Sequence, residues 1–575
     1  MTVFRVWAPD HDRVELLFGD DRVEMTPDQG GTSDGWWSTT ISCDADADYA
    51  FSLDNGPTRP DPRSAWQPQG VHAPSRLYDH SAFAWTDETW HGVPLNGAVL
   101  YELHVGSFTE QGTFAAATAR LDHLVDLGIT AVELLPCNAF DGRWGWGYDG
   151  VLWYAVHDPY GGPDGLKQFV DAAHAKGIAV VMDVVYNHLG PAGNYLREFG
   201  PYLTDAHTTP WGPAVNLDRE GSAEVRRYII DNALMWLRDY HLDGLRLDAV
   251  HELIDDGPTH LLEELALAVK GLAAQFGKAL WLVAESDLND IRLVQPRESG
   301  GVGLDGQWCD DVHHALHSTL TGEVDGYYVD FGPLEVLAKA LTSAFVHDGT
   351  WSTFRGHHHG TPVPEVVPGD RFVVYLQDHD QVGNRAAGDR MALSPGLRRV
   401  GAALYLLSPY TPMIFMGEEF GAVTPWPFFF DYPGDLGKAV LEGRRAEFAK
   451  HGWKTMQVPD PQDPATFASA KLAWDVQDAE LLSFYRALLL LRRDRKELSD
   501  GRRDAVSITW DDKARWLVMT RGDVAVACNL SGDRQAVPLP GSPQRVLLAS
   551  AEGWVFGDGR VDTEGESVVV LELSH

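Results

Sequence analysis

The chain has 575 residues, 44% of them apolar, and carries 46 Lys and Arg against 83 Asp and Glu, a net charge of −37. That length exceeds one ordinary core and predicts two or three domains. The acidic balance excludes nucleic acid and anionic membranes as partners and predicts a solvated, soluble exterior. Cys43, Cys137, Cys309 and Cys528 are scattered without CxxC or Cys/His spacing, so neither a disulfide framework nor a zinc site is expected. No segment approaches the ~18 apolar residues of a membrane span, and the first residues go straight into a strand pattern, so the cytoplasm is the expected location.

Residues 1–90 read as short strands separated by Gly, Asp and Pro clusters: Phe4–Trp7, Val14–Phe18, Trp36–Ile41 and Tyr49–Phe51. This spacing predicts an N-terminal β-sandwich, with the Pro-rich stretch 57–74 as a linker. From about 97 the pattern changes to apolar strand, turn and amphipathic helix, repeated. Strands are expected at Val99–Val105, Ile129–Leu135, Ile178–Asp183, 243–248, 280–285, near 302–308, 372–378 and Pro412–Met416. Between them, one helix carries Leu121, Leu124 and Val125 on a face and stops at Gly128. Another opens at Asp164 with Leu166, Phe169, Val170 and Ala173 inward, and a third covers 222–240. Residues 189–221 interrupt the alternation as an excursion over a barrel mouth would. The expected architecture is a multidomain α/β protein whose (β/α)8 TIM barrel occupies 91–502. A helix at 479–498 closes that region, and strands from Val506 onward predict a C-terminal antiparallel β-domain over 503–575.

Three of these strands end in carboxylates: Asp243–Asp248, Trp281–Ser286 with Glu285, and Phe372–Asp380. As parallel neighbours in one barrel they bring Asp248, Glu285 and Asp380 to its C-terminal face, and carboxylates meeting in a cleft suit glycosidic bond cleavage. Arg246 and Asp248 are two apart on one strand and share a face. Either they form a structural salt bridge, or Arg246 keeps a nucleophilic Asp248 ionised. Glu285 follows the apolar run behind Trp281, a setting that raises its pKa and suits a general acid. Asp183, at the end of its strand, reads as a structural carboxylate, and His188 five residues on reaches the mouth to meet a sugar hydroxyl.

The strings Asp183-Val-Val-Tyr-Asn-His188, Gly244-Leu-Arg-Leu-Asp248, Ala284-Glu285 and His379-Asp380, with Gly147-Tyr148-Asp149 after the second strand, resemble the α-amylase family of glycoside hydrolases. The opening Phe4–Pro9 is similar to the carbohydrate-binding-like β-sandwich of branching and debranching members. The resemblance implies a nucleophile at Asp248, an acid/base at Glu285, a transition-state stabiliser at Asp380, and a glycone pocket shaped by Tyr148, Asp149, His188, Arg246 and His379. Within the family, 307–317, 321–330, 209–212, 378–385 and 408–419 are similar to members that cleave the α-1,4-glucosidic bond beside the terminal trehalose unit of maltooligosyltrehalose. The implied partners are therefore maltooligosyltrehalose and related α-glucans. A branching or debranching enzyme is the alternative, and a catalytically inactive carbohydrate-binding relative the remote one.

His251-Glu252 stand where many family members carry Lys-His, which implies different leaving-group contacts. Trp211, Tyr328, Phe354 and Arg355 are the further leaving-group candidates. Trp144, Trp146, Trp426 and Phe428–Phe430 read mainly as packing. Asn187 matches one ligand of the family's frequent calcium site without a companion set, and the run His357–His359 is not read as a metal site. No metal or cofactor is expected. A monomer is expected, with a homodimer as the alternative.

Overall fold

The structure is a computed structural model that describes residues 1–19, 21–28, 34–432, 434–450 and 458–574. Eight parallel strands close into a barrel: Leu100–Leu103, Ala131–Leu134, Ala179–Val184, Gly244–Leu247, Trp281–Ala284, Gly306–Trp308, Phe372–Tyr375 and Thr411–Phe415. The last pairs with the first, Phe415 opposite Glu102, which completes the ring. Six strands fall within their expected stretches, the third overruns its own by one residue at Val184 and the eighth begins one residue early at Thr411; every residue of all eight is buried, as strands covered on both faces require.

Alternate residues face the barrel axis. Leu100, Ala131, Val181, Val283, Val373 and Met413 pack together as an apolar floor. Two residues further along the first, second, third and fifth strands stand Glu102, Glu133, Asp183 and Glu285, so the upper end of the same interior is polar. Gly244 opens the fourth strand because a Cβ there would lie 3.0 Å from the Trp281 carbonyl oxygen and 3.2 Å from its Cβ.

The helix Gly162–His174 buries Leu166, Phe169, Val170 and Ala173 as its periodicity predicts. The helix Leu121–Leu127 differs in one detail: it buries Leu121, Leu124 and Leu127, and leaves Val125 turned off the face and exposed. It ends at Gly128, whose φ of 101° lets its N–H return to the Leu124 carbonyl.

The N-terminal strands form two sheets. Thr2–Trp7, Trp36–Ile41 and Thr26–Pro27 make one; Val14–Phe18, Asp21–Glu24, Asp48–Leu53, Thr58–Arg59 and Ser75–Arg76 make the other. The rings of Phe4 and Tyr49 meet edge to face between them at 4.9 Å. The stretch 57–74 is not a free linker. Asp61 accepts the Tyr49 hydroxyl at 2.8 Å, Arg63 pairs with Asp231 at 3.0 Å and the Trp66 indole donates to Asp158 at 2.8 Å. Proline holds the chain extended there and, lacking N–H groups, lets it lie against the barrel without orphaned donors.

At the other end, Val506–Asp511, Trp516–Arg521, Val524–Asn529, Ser567–Ser574 and Ser542–Ala549 form an antiparallel sheet. A second sheet of Gln535–Pro538, Arg560–Thr563 and Val555–Gly557 packs on it through Val537 and Val561. Among the described residues no helix is long and apolar enough to cross a membrane.

Candidate active site

The second to seventh strands and the segments that follow them supply the site. The fourth carries Arg246, whose Nη1 donates to Asp248 Oδ1 at 2.6 Å and to Asp183 Oδ2, from the third strand, at 2.8 Å. Its Nη2 lies 3.6 Å from Glu285 Oε2 beyond the fifth strand. One buried guanidinium thus joins three carboxyl groups, with the Trp308 ring 4.3 Å below its Cζ. Asn187 completes the hold on Asp248, its amide donating to Oδ2 at 2.9 Å and to the backbone carbonyl at 2.7 Å. The Asn187 amide N–H groups therefore serve Asp248.

The residue after Asp248 is strained. Ala249 has φ of 39°, in the left-handed region that alanine rarely enters, and this turns its N–H onto Glu285 Oε2 at 2.6 Å. The chain after the fourth strand thereby fixes the carboxyl of the fifth.

The two carboxyl groups differ in charge. Burial penalises both anions. At Asp248 the Arg246 charge, His188 and the Asn187 amide outweigh it and hold the carboxyl below its ordinary range. At Glu285 burial prevails over Arg246, aided by the neighbouring charges of Asp248, Asp310 and Asp380, and pushes it up to about 8. The expected protection of Glu285 by Trp281 does not hold. Trp281 lies four residues earlier, about 13 Å down the strand, and its indole donates to the Val93 carbonyl at the opposite end. Burial beneath the barrel mouth and the surrounding acids do that work.

His379 and Tyr148 form the next wall. Their rings stack at 5.2 Å with the Tyr148 hydroxyl 2.7 Å from Nε2, and that hydroxyl donates to Asp183 at 2.6 Å. Trp146 and Trp426 stack on each other at 4.4 Å behind His379 and are packing, as expected. Asp380 accepts the Asn384 amide at 2.6 Å and is partly open to the cleft. His188 is covered by Trp211, whose ring lies 4.2 Å away and nearly parallel at 8°, so the excursion 189–221 does reach the mouth. Asp149 is half-buried and faces the charge of His188.

The leaving-group candidates divide. His251 Nε2 lies 3.9 Å from Asp287 Oδ1, and its buried Nδ1 has no partner. Arg355 reaches Oδ2 of the same Asp287 at 3.4 Å. His251 also lines a hollow of about 320 Å³ with Val250, Leu253, Ser286 and Leu288, which Arg355 does not reach. Glu252 is partly exposed beside His251. Phe354 is exposed, with the Tyr327 ring at 6.0 Å. Tyr328 requires correction: it is 3% exposed, stacked on His317 at 4.2 Å and bonded to His313 at 3.2 Å. It is core, and its neighbour Tyr327 faces the charge of Asp380 instead. The histidines 357–359 bond separately, to the carbonyls of His358, Gly349 and Asp287. His207, Asp218 and Asp256 place ligand atoms within 4.8 Å of one another, but Arg219, 3.1 Å from His207, already supplies positive charge there.

Four residues escaped the sequence reading. Glu102 sits in an expected strand that gave no sign of chemistry. Asp287 follows the acid by two residues. Trp308 and Asp310, the latter accepting the Tyr375 hydroxyl, lie in the segment 307–317 that was read only as a family signature.

A closed parallel barrel with an ionised and a protonated carboxyl at its C-terminal mouth is the plan of an α-amylase-type glycoside hydrolase, and residues 77–207 match the alpha amylase catalytic domain. Residues 501–570 match a domain of unknown function. The malto-oligosyltrehalose trehalohydrolase of Arthrobacter ramosus is 51% identical over 99% of each chain, and that of Mycobacterium tuberculosis is 48% identical over 100% of each. A solved putative alpha amylase from Salmonella typhimurium superposes with a TM-score of 0.90 at 38% identity, over 99% of this chain and 97% of that one. The chain belongs to the malto-oligosyltrehalose trehalohydrolase family. The 1,4-alpha-glucan branching enzyme of Bacillus caldolyticus is more distant, 30% identical over 78% of this chain.

Proposed function

We propose that this glycoside hydrolase cleaves the α-1,4-glucosidic bond next to the terminal trehalose unit of maltooligosyltrehalose, releasing trehalose and a maltooligosaccharide with retention of configuration. Glu285 protonates the glycosidic oxygen while Asp248 attacks C1 to form a glycosyl-enzyme. Water deprotonated by Glu285 then releases the maltooligosaccharide. The arrangement at Arg246 carries this reading: it keeps Asp248 anionic, whereas Glu285 at its farther edge stays protonated. Asp380, opposite Glu285, stabilises the oxocarbenium-like transition state, and Tyr148, His188 and His379 grip the same sugar ring.

On the leaving-group side, His251, Arg355 and Asp287 offer the charged hydrogen bonds, and Phe354 and Tyr327 the aromatic surface, that a bent, non-reducing disaccharide would use. The family membership favours this substrate over glycogen branching. The enzyme acts in the cytoplasm as a monomer, which size-exclusion chromatography with light scattering checks. Incubation with maltotriosyl-trehalose, read by chromatography, is expected to yield free trehalose and maltotriose whose first-formed anomer by NMR is α. New α-1,6 branches from amylose without trehalose release overturn the reading.

A further inference from the structure

Glu102, on the first barrel strand, is 1% exposed and holds His379 twice: Oε2 accepts the His379 backbone N–H at 2.9 Å, and Oε1 lies 2.5 Å from Nδ1. From His379 an unbroken line of polar contacts runs through Tyr148, Asp183 and Arg246 to Asp248, at 2.7, 2.6, 2.8 and 2.6 Å. We propose that Glu102 is a positioning residue: as a neutral acid it donates to Nδ1, fixes His379 with its hydrogen on Nε2, and so keeps the line oriented toward Asp248.

Proton counting supports this. The Tyr148 hydroxyl has one hydrogen and two neighbours, Asp183 Oδ2 and His379 Nε2. Asp183 has no hydrogen of its own while it accepts from Arg246, so the phenol donates to Asp183. Nε2 must then bring a hydrogen to the phenolic oxygen, and Nδ1 faces Glu102 across a single proton. Burial places that proton, pushing the Glu102 carboxyl up to about 8 and the His379 imidazole down to about 4, against the pull of the His379 N–H and Arg246 on the first and of Asp380 on the second. The other charged or titratable groups facing the pair are His104 at the end of the first strand, Glu133 on the second, Asp183 on the third, Asp248 after the fourth and Asp378 after the seventh. When the pair loses a proton at high pH, the hydrogen on Nε2 leaves to solvent, the carboxyl hydrogen passes to Nδ1, and Nε2 becomes an acceptor. Tyr148 then turns its hydrogen to Nε2, and Asp183, short of a donor, draws Arg246 away from Asp248.

The inference rests on the reading of the cleft given above, which trehalose release by the wild-type chain tests separately. Its own test is the full-length pair E102Q and E102L, assayed on maltotriosyl-trehalose across pH. A glutamine amide donates to Nδ1 and its carbonyl accepts the His379 N–H, so E102Q is expected to keep kcat within about threefold of wild type. Leucine does neither, and E102L is expected to lose about 10–100-fold in kcat with KM nearly unchanged. Two groups that titrate near 8, Glu285 and Glu102, give the wild type an alkaline limb steeper than one proton; E102Q retains only Glu285 and falls with one. Equal impairment of E102Q and E102L, wild-type kcat in E102L, or an unchanged limb in E102Q overturns the proposal. If E102L fails to fold, the limb of E102Q decides alone.

Discussion

Asp248 and Asp287 both follow barrel strands, and both lie within reach of an arginine, yet their surroundings are opposite. Asp248 is locked by Arg246 at 2.6 Å and by the Asn187 amide at 2.9 Å, with its side chain 12% exposed. Asp287 is 48% exposed and meets Arg355 and His251 only at 3.4 and 3.9 Å. The first arrangement is rigid and preorganised, as bond cleavage demands. The second is loose enough to reorganise around an incoming sugar. On the proposed mechanism the attacking carboxylate stands directly after its strand, whereas the leaving group meets a segment farther along.

The sharpest way to break this contrast is at the rigid end. D248N removes the attacking carboxylate at nearly the same volume, its single amide oxygen accepting from Arg246 or from Asn187 but not from both, and is expected to lower kcat about 10⁴-fold or more with the fold intact by circular dichroism. Residual activity within tenfold of wild type would remove Asp248 from the mechanism.

E285Q is expected to cost about 10²–10⁴-fold on maltotriosyl-trehalose, and much less on an aryl α-maltoside whose leaving group needs no proton. The pH dependence sharpens it. As the proposed acid, Glu285 is expected to contribute fully below its raised pKa and to lose that contribution as pH rises through about 8. Asp248, held low, stays anionic through neutral pH and limits activity only on the acid side. An alkaline limb for Glu285 near its ordinary carboxylate range would show that burial does not set the acid.

At the loose end the effects are smaller and fall on a different constant. D287A is expected to raise KM for maltotriosyl-trehalose about tenfold, the loss of one or two charge-assisted hydrogen bonds, with hydrolysis of plain maltooligosaccharides changed less. Equal losses on both substrates would mean that Asp287 does not read the leaving group. W211A is expected to have the smallest effect, about two- to tenfold in KM, because Trp211 covers His188 from outside the chemistry.

Much of this was legible in the sequence because its signals are local. Short, mainly apolar runs marked the strands other than the sixth, whose stretch 302–308 mixes Gly, Asp and Gln with its apolar residues, and the two-residue spacing of Arg246 and Asp248 put both on one face. What the sequence hid was held across the barrel. Nothing near Glu102 in the chain hints at His379, which lies 277 residues away. The exposures of Tyr327 and Tyr328 are set by which ring finds His317, a contact no periodicity encodes. Trp281 was credited with shielding Glu285 because it is near in the chain, although four residues of extended strand separate the two.

The stretch 57–74 has a mechanical consequence. Because Asp61, Arg63 and Trp66 clamp it between the N-terminal sheets and the barrel helices, the two modules cannot melt independently. A calorimetric scan should give them one shared endotherm, and a chain begun at residue 91 would leave Asp158 and Asp231 without those partners and tend to aggregate during synthesis.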